Sequence, residues 1–177
     1  MIINANEAEN HAVLSVAQQM MAAARTAPKT KGQDFLHTCI VTGDDLEALA
    51  SSMEAIGEEH NLAFCIRDAK NIRNSQAVVL LGIGHNPRGL NEACQFCGSS
   101  DCAVSQASGN CCVYDPIDLG IAIGSAVSVA ADHRIDNRVM FSVGVGALSL
   151  NLFDPSVKIA VGIPLSTHGK SIYYDRK

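Results

Sequence analysis

Five of the seven cysteines in this 177-residue sequence lie in one short stretch, between Gly89 and Leu119. They are Cys94, Cys97, Cys102, Cys111 and Cys112. Cys94 and Cys97 form a C-x2-C pair, in which one tight turn directs two thiolates at the same ion, and Gly98 gives the backbone freedom to bend around it. Four thiolates from one loop rich in Gly and Ser suit either an iron–sulfur cluster or a tetrahedral zinc ion.

Disulfides and unliganded buried thiols are two other roles for these cysteines. Residues 1–10 have neither the basic nor the apolar segment of a secretory signal, and no apolar run reaches the ~18 residues that span a membrane. We therefore expect a cytoplasmic protein, in a compartment where disulfides are rare. The polar loop is also a poor setting for core thiols.

The spacing of the cysteines favours an iron–sulfur cluster over zinc. A C-x2-C pair followed by Cys102 and by more distant cysteines lacks the second C-x2-C pair of a zinc ribbon. A non-enzymatic protein whose structural zinc site supports an interaction or binding module remains the alternative.

Composition limits the partners that the chain can have. Hydrophobic residues make up 47% of the sequence and the net charge is −5, with no long basic run. A nucleic acid or an anionic membrane would require clustered Lys and Arg. We therefore expect a small-molecule substrate or an electron-transfer partner.

Hydrophobic periodicity predicts a single α/β or α+β domain of three layers over residues 1–177. Helices are predicted over residues 7–26, 46–60 and 116–133, with Asp115 as the N-cap of the last. Strands are predicted over residues 36–41, 77–84, 139–147 and 158–164, the last ending at Pro164. Residues 77–84 are apolar without interruption, which indicates a central strand, and the cysteine-rich residues 89–115 form an insertion after it.

The turn over residues 25–32 gathers three cations and two hydroxyls. Such a loop can bind a phosphate, or it can be a solvated connector. No nucleophile–base pair and no catalytic pair of carboxylates is evident, and His85, His133 and His168 are expected in surface or capping positions. Any catalysis would therefore belong to a cofactor.

The chain resembles a prokaryotic family of unknown function described as containing a ferredoxin domain. The resemblance covers nearly the whole length, and its most specific parts are residues 23–32, the cysteine loop, and residues 118–126, 136–140, 162–170 and 175–176. It implies a [4Fe–4S]-type cluster on Cys94, Cys97, Cys102 and Cys112, with Cys111 as an adjacent thiol that could replace Cys112.

A looser resemblance is to the FMN-dependent nitroreductases. It rests on residues 24–32, on the apolar helix from Asp118, and on the Gly-Ile-Pro strand with its basic tail. It implies a nitroreductase-like sheet flanked by helices and a homodimer with a shared FMN site. The side chains that would then contact FMN are Arg25, Lys29, Thr30, Lys31, Lys170 and Arg176.

Overall fold

The centre of the fold is a strand, β2, that is buried on both faces. The structure is a computed structural model and describes residues 1–174. All eight residues of β2, Ala77–Gly84, are buried, as the unbroken apolar run predicts. Successive side chains of a strand point to opposite faces, so Val79 and Leu81 enter one hydrophobic core and Val78 and Leu80 enter another.

Besides β2, the described residues contain β1 (His37–Val41), β3 (Asp136–Asn137) and β4 (Val157–Ser166). These four strands form one antiparallel sheet in the order β1-β2-β4-β3. Two layers of helices cover the sheet, giving the predicted three layers. Because no strands are parallel, the α+β form of the prediction is the one that holds.

Residues 1–174 contain six α-helices, of which five pack on the sheet and one lies in the cysteine loop. They are α1 (Ala5–Thr26), α2 (Asp45–Glu59), α3 (Ala63–Arg73), α4 (Cys102–Ala107), α5 (Tyr114–Asp132) and α6 (Phe141–Ser149). Helices α1 and α5 share one core with the sheet. Helices α2, α3 and α6 lie on the opposite face.

The predicted strand over residues 139–147 is wrong, because most of this segment forms helix α6. Only Met140 is paired as in a strand, through two hydrogen bonds with Gly162. The buried positions Val143, Gly146 and Ala147 recur at helical spacing. A Cβ on Gly144 would lie 1.9 Å from the carbonyl oxygen of Ala160, so glycine lets α6 approach β4 closely. A short apolar run cannot separate strand from helix by pattern alone.

Two further features differ from the sequence-based expectation. Helix α3 was not predicted, although Cys65, Asp68 and Ile72 are buried at helical spacing along it. Strand β4 continues past Pro164 to Ser166. The N–H of Gly162 donates to the carbonyl oxygen of Met140, and the nitrogen of Pro164, two residues on, faces the same side of β4. The residue opposite Pro164 on that side, Arg138, is not paired with β4, so proline removes no hydrogen bond of the sheet.

No helix within residues 1–174 combines the length and the apolar character needed to cross a membrane.

Candidate metal centre

The cysteine stretch folds into a small lobe between β2 and α5. It contains a 3-10 turn over Asn91–Ala93 and the short helix α4, whose N-cap Asp101 accepts a hydrogen bond from the Val104 N–H at 2.9 Å. Gly98 adopts a φ of 79°, which side chains disfavour. The turn at Gly98 and the cap at Asp101 fix the direction in which the chain passes from Cys97 to Cys102.

One pocket in this lobe is lined by four cysteines. They are Cys94, Cys97, Cys102 and Cys112. All four are free thiols, so no disulfide competes for their sulfurs. The buried side chains of Arg88, Ser99 and Ser105 also line the pocket. The loop therefore converges on a common space, and it does so with the four residues that the family resemblance implies.

The surroundings of Cys97 favour its thiolate form. Hydrogen bonding from the Ser105 side chain, and then from the Ser99 backbone, lowers the pKa of Cys97. Burial, followed by the charge of the neighbouring Cys94, raises the pKa of Tyr114. Donors aimed at sulfur favour the charged form that binds metals.

The four sulfurs are too far apart for a single zinc ion as they stand. A tetrahedral zinc with Zn–S bonds of about 2.3 Å holds its sulfurs about 3.8 Å apart. Among residues 1–174, only one group of three His, Cys, Asp or Glu side chains brings its ligand atoms within 4.8 Å of one another, and it contains none of the four pocket cysteines. A cluster holds its thiolates farther apart, because irons and sulfides lie between them.

Arg88 anchors the lobe to the rest of the fold. Arg88 is 2% exposed, and its guanidinium donates to Asp115 at 2.9 Å and to Asp118 at 2.8 Å, both in the first turns of α5. Asp118 also accepts from the N–H and the hydroxyl of Thr30. The backbone carbonyl of Arg88 accepts from Lys31 at 2.9 Å. One buried arginine thus joins the pocket wall, α5 and the turn after α1.

The Nε of Arg88 has no hydrogen-bond partner within residues 1–174, although it is buried and its residue lines the pocket. A buried N–H without an acceptor costs about 1–3 kcal/mol. A thiolate or an inorganic sulfide in the pocket would be an acceptor. The four free thiols and this unpaired donor therefore fit an iron–sulfur cluster.

Cys111 lies outside the pocket, although it is adjacent to Cys112. Its sulfur contacts the Cys112 carbonyl oxygen at 3.4 Å and Asp115 Oδ2 at 3.7 Å. Burial, followed by the charge of Asp115, raises the pKa of Cys111 to about 11. His85 completes this second group. The geometry thus favours Cys112 over Cys111 as the fourth pocket ligand.

The predicted N-cap role of Asp115 is wrong. Asp115 is fully buried inside the first turn of α5, and the N-cap residue is Val113, without a side-chain hydrogen bond. The carboxylate of Asp115 instead accepts from Arg88 and from the backbone N–H of Asn86 at 2.9 Å. A buried carboxylate requires a partner charge more than a helix requires a cap.

The side chains of residues 25–32, where a phosphate-binding turn was one prediction, donate to other groups of the chain. Lys29 Nζ donates to three backbone carbonyls at 2.7–3.1 Å, which is its full donor capacity. Arg25 donates to Asp34 at 2.6 Å and to the Leu36 carbonyl at 2.8 Å. Thr30 donates to the carboxylate of Asp118, and Lys31 donates to the backbone carbonyl of Arg88. Lys170 is exposed after β4, and Arg176 lies outside the described residues.

Sequence reasoning missed the roles of Arg88, Asp115 and Asp118. One signal was available: Asp115 and Asp118 are three residues apart at the start of an otherwise apolar helix, so they share a face. Two carboxylates on a buried helix require a cation. Arg88 is the one arginine in the segment before the cysteines, and only the fold shows that it reaches both.

Sequence comparison finds a family model that matches part of this chain and one relative that matches nearly its whole length. A family model described as "uncharacterized protein containing a ferredoxin domain (DUF2148)" matches residues 108–176. An uncharacterized protein of Archaeoglobus fulgidus is 40% identical over 185 residues, an alignment that covers 99% of this chain and 98% of the relative.

Structural comparison finds flavoenzyme-like folds at low sequence identity. The FMN-dependent nitroreductase NfnB from Mycobacterium smegmatis, solved with NADPH, has a TM-score of 0.61 and 14% identity over 88% of this chain and 78% of NfnB. The hypothetical oxidoreductase YcnD from Bacillus subtilis has a TM-score of 0.57 and 13% identity over 88% of this chain, which spans only 58% of YcnD. The predicted nitroreductase-like fold is confirmed, and identities this low show the fold alone.

Proposed function

The chain belongs to the family of uncharacterized proteins that contain a ferredoxin domain, and on that premise we propose that it is a redox protein holding an iron–sulfur cluster on Cys94, Cys97, Cys102 and Cys112. The observation that carries the proposal is the convergence of these four free thiols on one pocket. A redox role also agrees with the nitroreductase-like fold.

The spacing of the sulfurs supports a cluster of the [4Fe–4S] type over zinc. Among residues 1–174, no three of the four pocket sulfurs lie within 4.8 Å of one another, whereas a tetrahedral zinc holds its sulfurs about 3.8 Å apart. The unpaired Nε of Arg88 is a donor that metal-bound sulfur of either kind can accept. A zinc-stabilised, non-enzymatic binding module is thus the outcome that would contradict the proposal.

Each pocket residue has a role in holding such a group. A bound cluster supplies one-electron transfer, at a potential set by charge and hydrogen bonds to sulfur. The lowered pKa of Cys97, caused mainly by hydrogen bonding from Ser105 and Ser99, favours the thiolate that binds iron. Asp115 and Asp118 fix the orientation of Arg88, which lines the pocket. Tyr114 lines the pocket, and its ring lies 6.2 Å from that of Phe96 between centroids.

Proteins of similar fold include FMN-dependent nitroreductases. The turn over residues 25–32 of this chain, in its present conformation, does not offer free donors to the phosphate of FMN. Lys29 and Thr30 have their donors committed to carbonyls and to Asp118. We therefore assign no step to a flavin. Free FMN in the supernatant of the denatured protein, at about one per chain, would show that this turn rearranges.

We also propose that electrons pass to a partner protein or a small-molecule substrate and that the chain is a homodimer. Helix α5 supports the second proposal, since Ile117 and Ile121 are 44% and 41% exposed and a Cβ on Gly120 or Gly124 would meet nothing within 4 Å. Light scattering of the full chain should give twice 18.7 kDa. A mass of one chain at micromolar concentration would contradict this proposal.

Absorbance of the anaerobically purified protein tests the redox function. We expect a brown protein with a broad band near ~400 nm from thiolate–iron charge transfer, which dithionite bleaches and air or ferricyanide restores. A colourless protein, or a band that neither reductant nor oxidant changes, would contradict the proposal. Zinc, which has a closed shell, gives neither signal.

A further inference from the structure

A second group of metal-ligand side chains lies beside the four-cysteine pocket and shares none of its sulfurs. It consists of His85 in the loop after β2, Cys111 just before α5, and Asp115 in the first turn of α5. Their ligand atoms all lie within 4.8 Å of one another. We propose that His85, Cys111 and Asp115 bind a divalent transition-metal ion, in a site separate from the cluster site.

The distances suit a mononuclear ion. Zinc bonds of about 2.0–2.3 Å to N, O and S place tetrahedral ligand atoms roughly 3.3–3.8 Å apart. The sulfur of Cys111 already lies 3.7 Å from Asp115 Oδ2. His85 directly follows β2 and is exposed, and its ligand nitrogen already lies within 4.8 Å of the ligand atoms of Cys111 and Asp115.

Asp115 is held in the way that a metal-binding carboxylate is usually held. Its Oδ1 accepts from Arg88 at 2.9 Å, and its Oδ2 accepts from the Asn86 N–H at 2.9 Å and faces Cys111. Outer hydrogen bonds of this kind orient a ligand and keep it charged. Oδ2 also accepts from the Cys111 thiol at 3.7 Å, and when a metal replaces that proton one lone pair of Oδ2 is left for the cation. Arg88 carries one positive charge against the two carboxylates of Asp115 and Asp118. A bound cation would balance the second negative charge.

Cys111 is available to this site because of its position in the chain. Adjacent residues in the non-helical segment before α5 direct their side chains differently, and here Cys112 lines the four-cysteine pocket while Cys111 does not. The Cys111 thiol releases its proton to solvent when a metal binds. The extra cysteine beside the fourth pocket cysteine thus gains a function of its own.

The ligand set indicates which ions the site prefers. One imidazole, one thiolate and one carboxylate suit Zn²⁺, Fe²⁺ or Co²⁺ and disfavour Mg²⁺ and Ca²⁺, which prefer oxygen alone. Three protein ligands with an exposed histidine leave the fourth position to water. Sites of that composition are open to exogenous ligands, unlike closed structural sites.

Zinc binding to the full-length, cluster-loaded protein tests the proposal. The protein is incubated anaerobically with Zn²⁺, desalted, and assayed for zinc and iron. We expect about one zinc per chain beyond the iron. His85→Ala and Cys111→Ser should each weaken zinc binding by more than about 10-fold while iron content stays at the wild-type level. His60→Ala, an exposed histidine at the end of α2, is the matched control and should keep the zinc.

The Cys97→Ser variant separates this site from the cluster site. If it loses iron but retains the zinc, and His85→Ala loses that zinc, the two sites are separate. If Cys97→Ser keeps its iron and His85→Ala still loses the zinc, the cluster assignment fails and the second site stands. Zinc that is lost in Cys97→Ser and retained in His85→Ala would lie in the four-cysteine pocket and would overturn the proposal. Wild-type protein without zinc above the His85→Ala level would overturn it too.

Discussion

Replacing Cys97 with serine is expected to remove at least about nine-tenths of the iron and the absorbance from the anaerobically purified protein. A serine oxygen is a hard ligand that stays protonated at neutral pH, so one corner of the pocket would no longer bind iron. Loss of even an outer-shell partner lowers metal affinity by roughly 10–100-fold, and loss of a ligand should cost more. Iron per chain is the measurement.

Cys39→Ser is the matched control for this experiment. Cys39 is a half-buried thiol on β1, far along the chain from the lobe, and the variant should retain wild-type iron. Cys112→Ser should behave like Cys97→Ser, because Cys112 lines the pocket. If Cys97→Ser kept its iron, or if only Cys111→Ser lost it, the ligand assignment would be wrong.

Replacing Arg88 with methionine should strongly lower the free energy of unfolding. Methionine fills much of the arginine's volume, but it leaves the carboxylates of Asp115 and Asp118 buried without their cation. Removing one partner of a buried ion pair costs roughly 3–5 kcal/mol. The contact of the guanidinium with the Phe35 ring, 4.9 Å from its centroid, is lost as well. Urea unfolding measures the change in the free energy of unfolding.

Arg73→Met is the control for this second experiment. Arg73 also pairs with two carboxylates, those of Glu47 and Glu54, but at the surface of α2 and α3. Surface ion pairs contribute little, because water and salt screen them. We expect Arg88→Met to be the much less stable of the two variants. Equal stabilities would show that Arg88 does not anchor the lobe.

The fold was predictable wherever a pattern had one physical interpretation. The apolar run of β2 contains β-branched residues and ends in glycine, which favours a strand covered on both faces, and the apolar stripe of α1 matched one helical face. The segment that forms α6 had two interpretations, since it is short, apolar and interrupted by Gly144 and Gly146. Its conformation is decided by packing against β4, which depends on contacts distant in sequence.

The candidate site was predictable in its ligands but not in its surroundings. Spacing within the loop identified the cysteines, because C-x2-C pairs act through local geometry. The choice between Cys111 and Cys112 depends on which way each side chain leaves the segment before α5, and sequence does not encode that directly. By sequence, the turn with Lys29 and Thr30 could bind a phosphate or act as a connector, and in the structure its donors hold the helix end and Asp118. Lys29 donates to backbone carbonyls and Arg25 pairs with Asp34, and these contacts depend on the folded chain.

The iron and acid-labile sulfide content of anaerobically purified, full-length protein tests the central claim most directly. A cluster on Cys94, Cys97, Cys102 and Cys112 predicts iron and sulfide in equal amounts, about four of each per chain for the [4Fe–4S] type. Bound zinc with no sulfide, or iron without sulfide, would contradict the account.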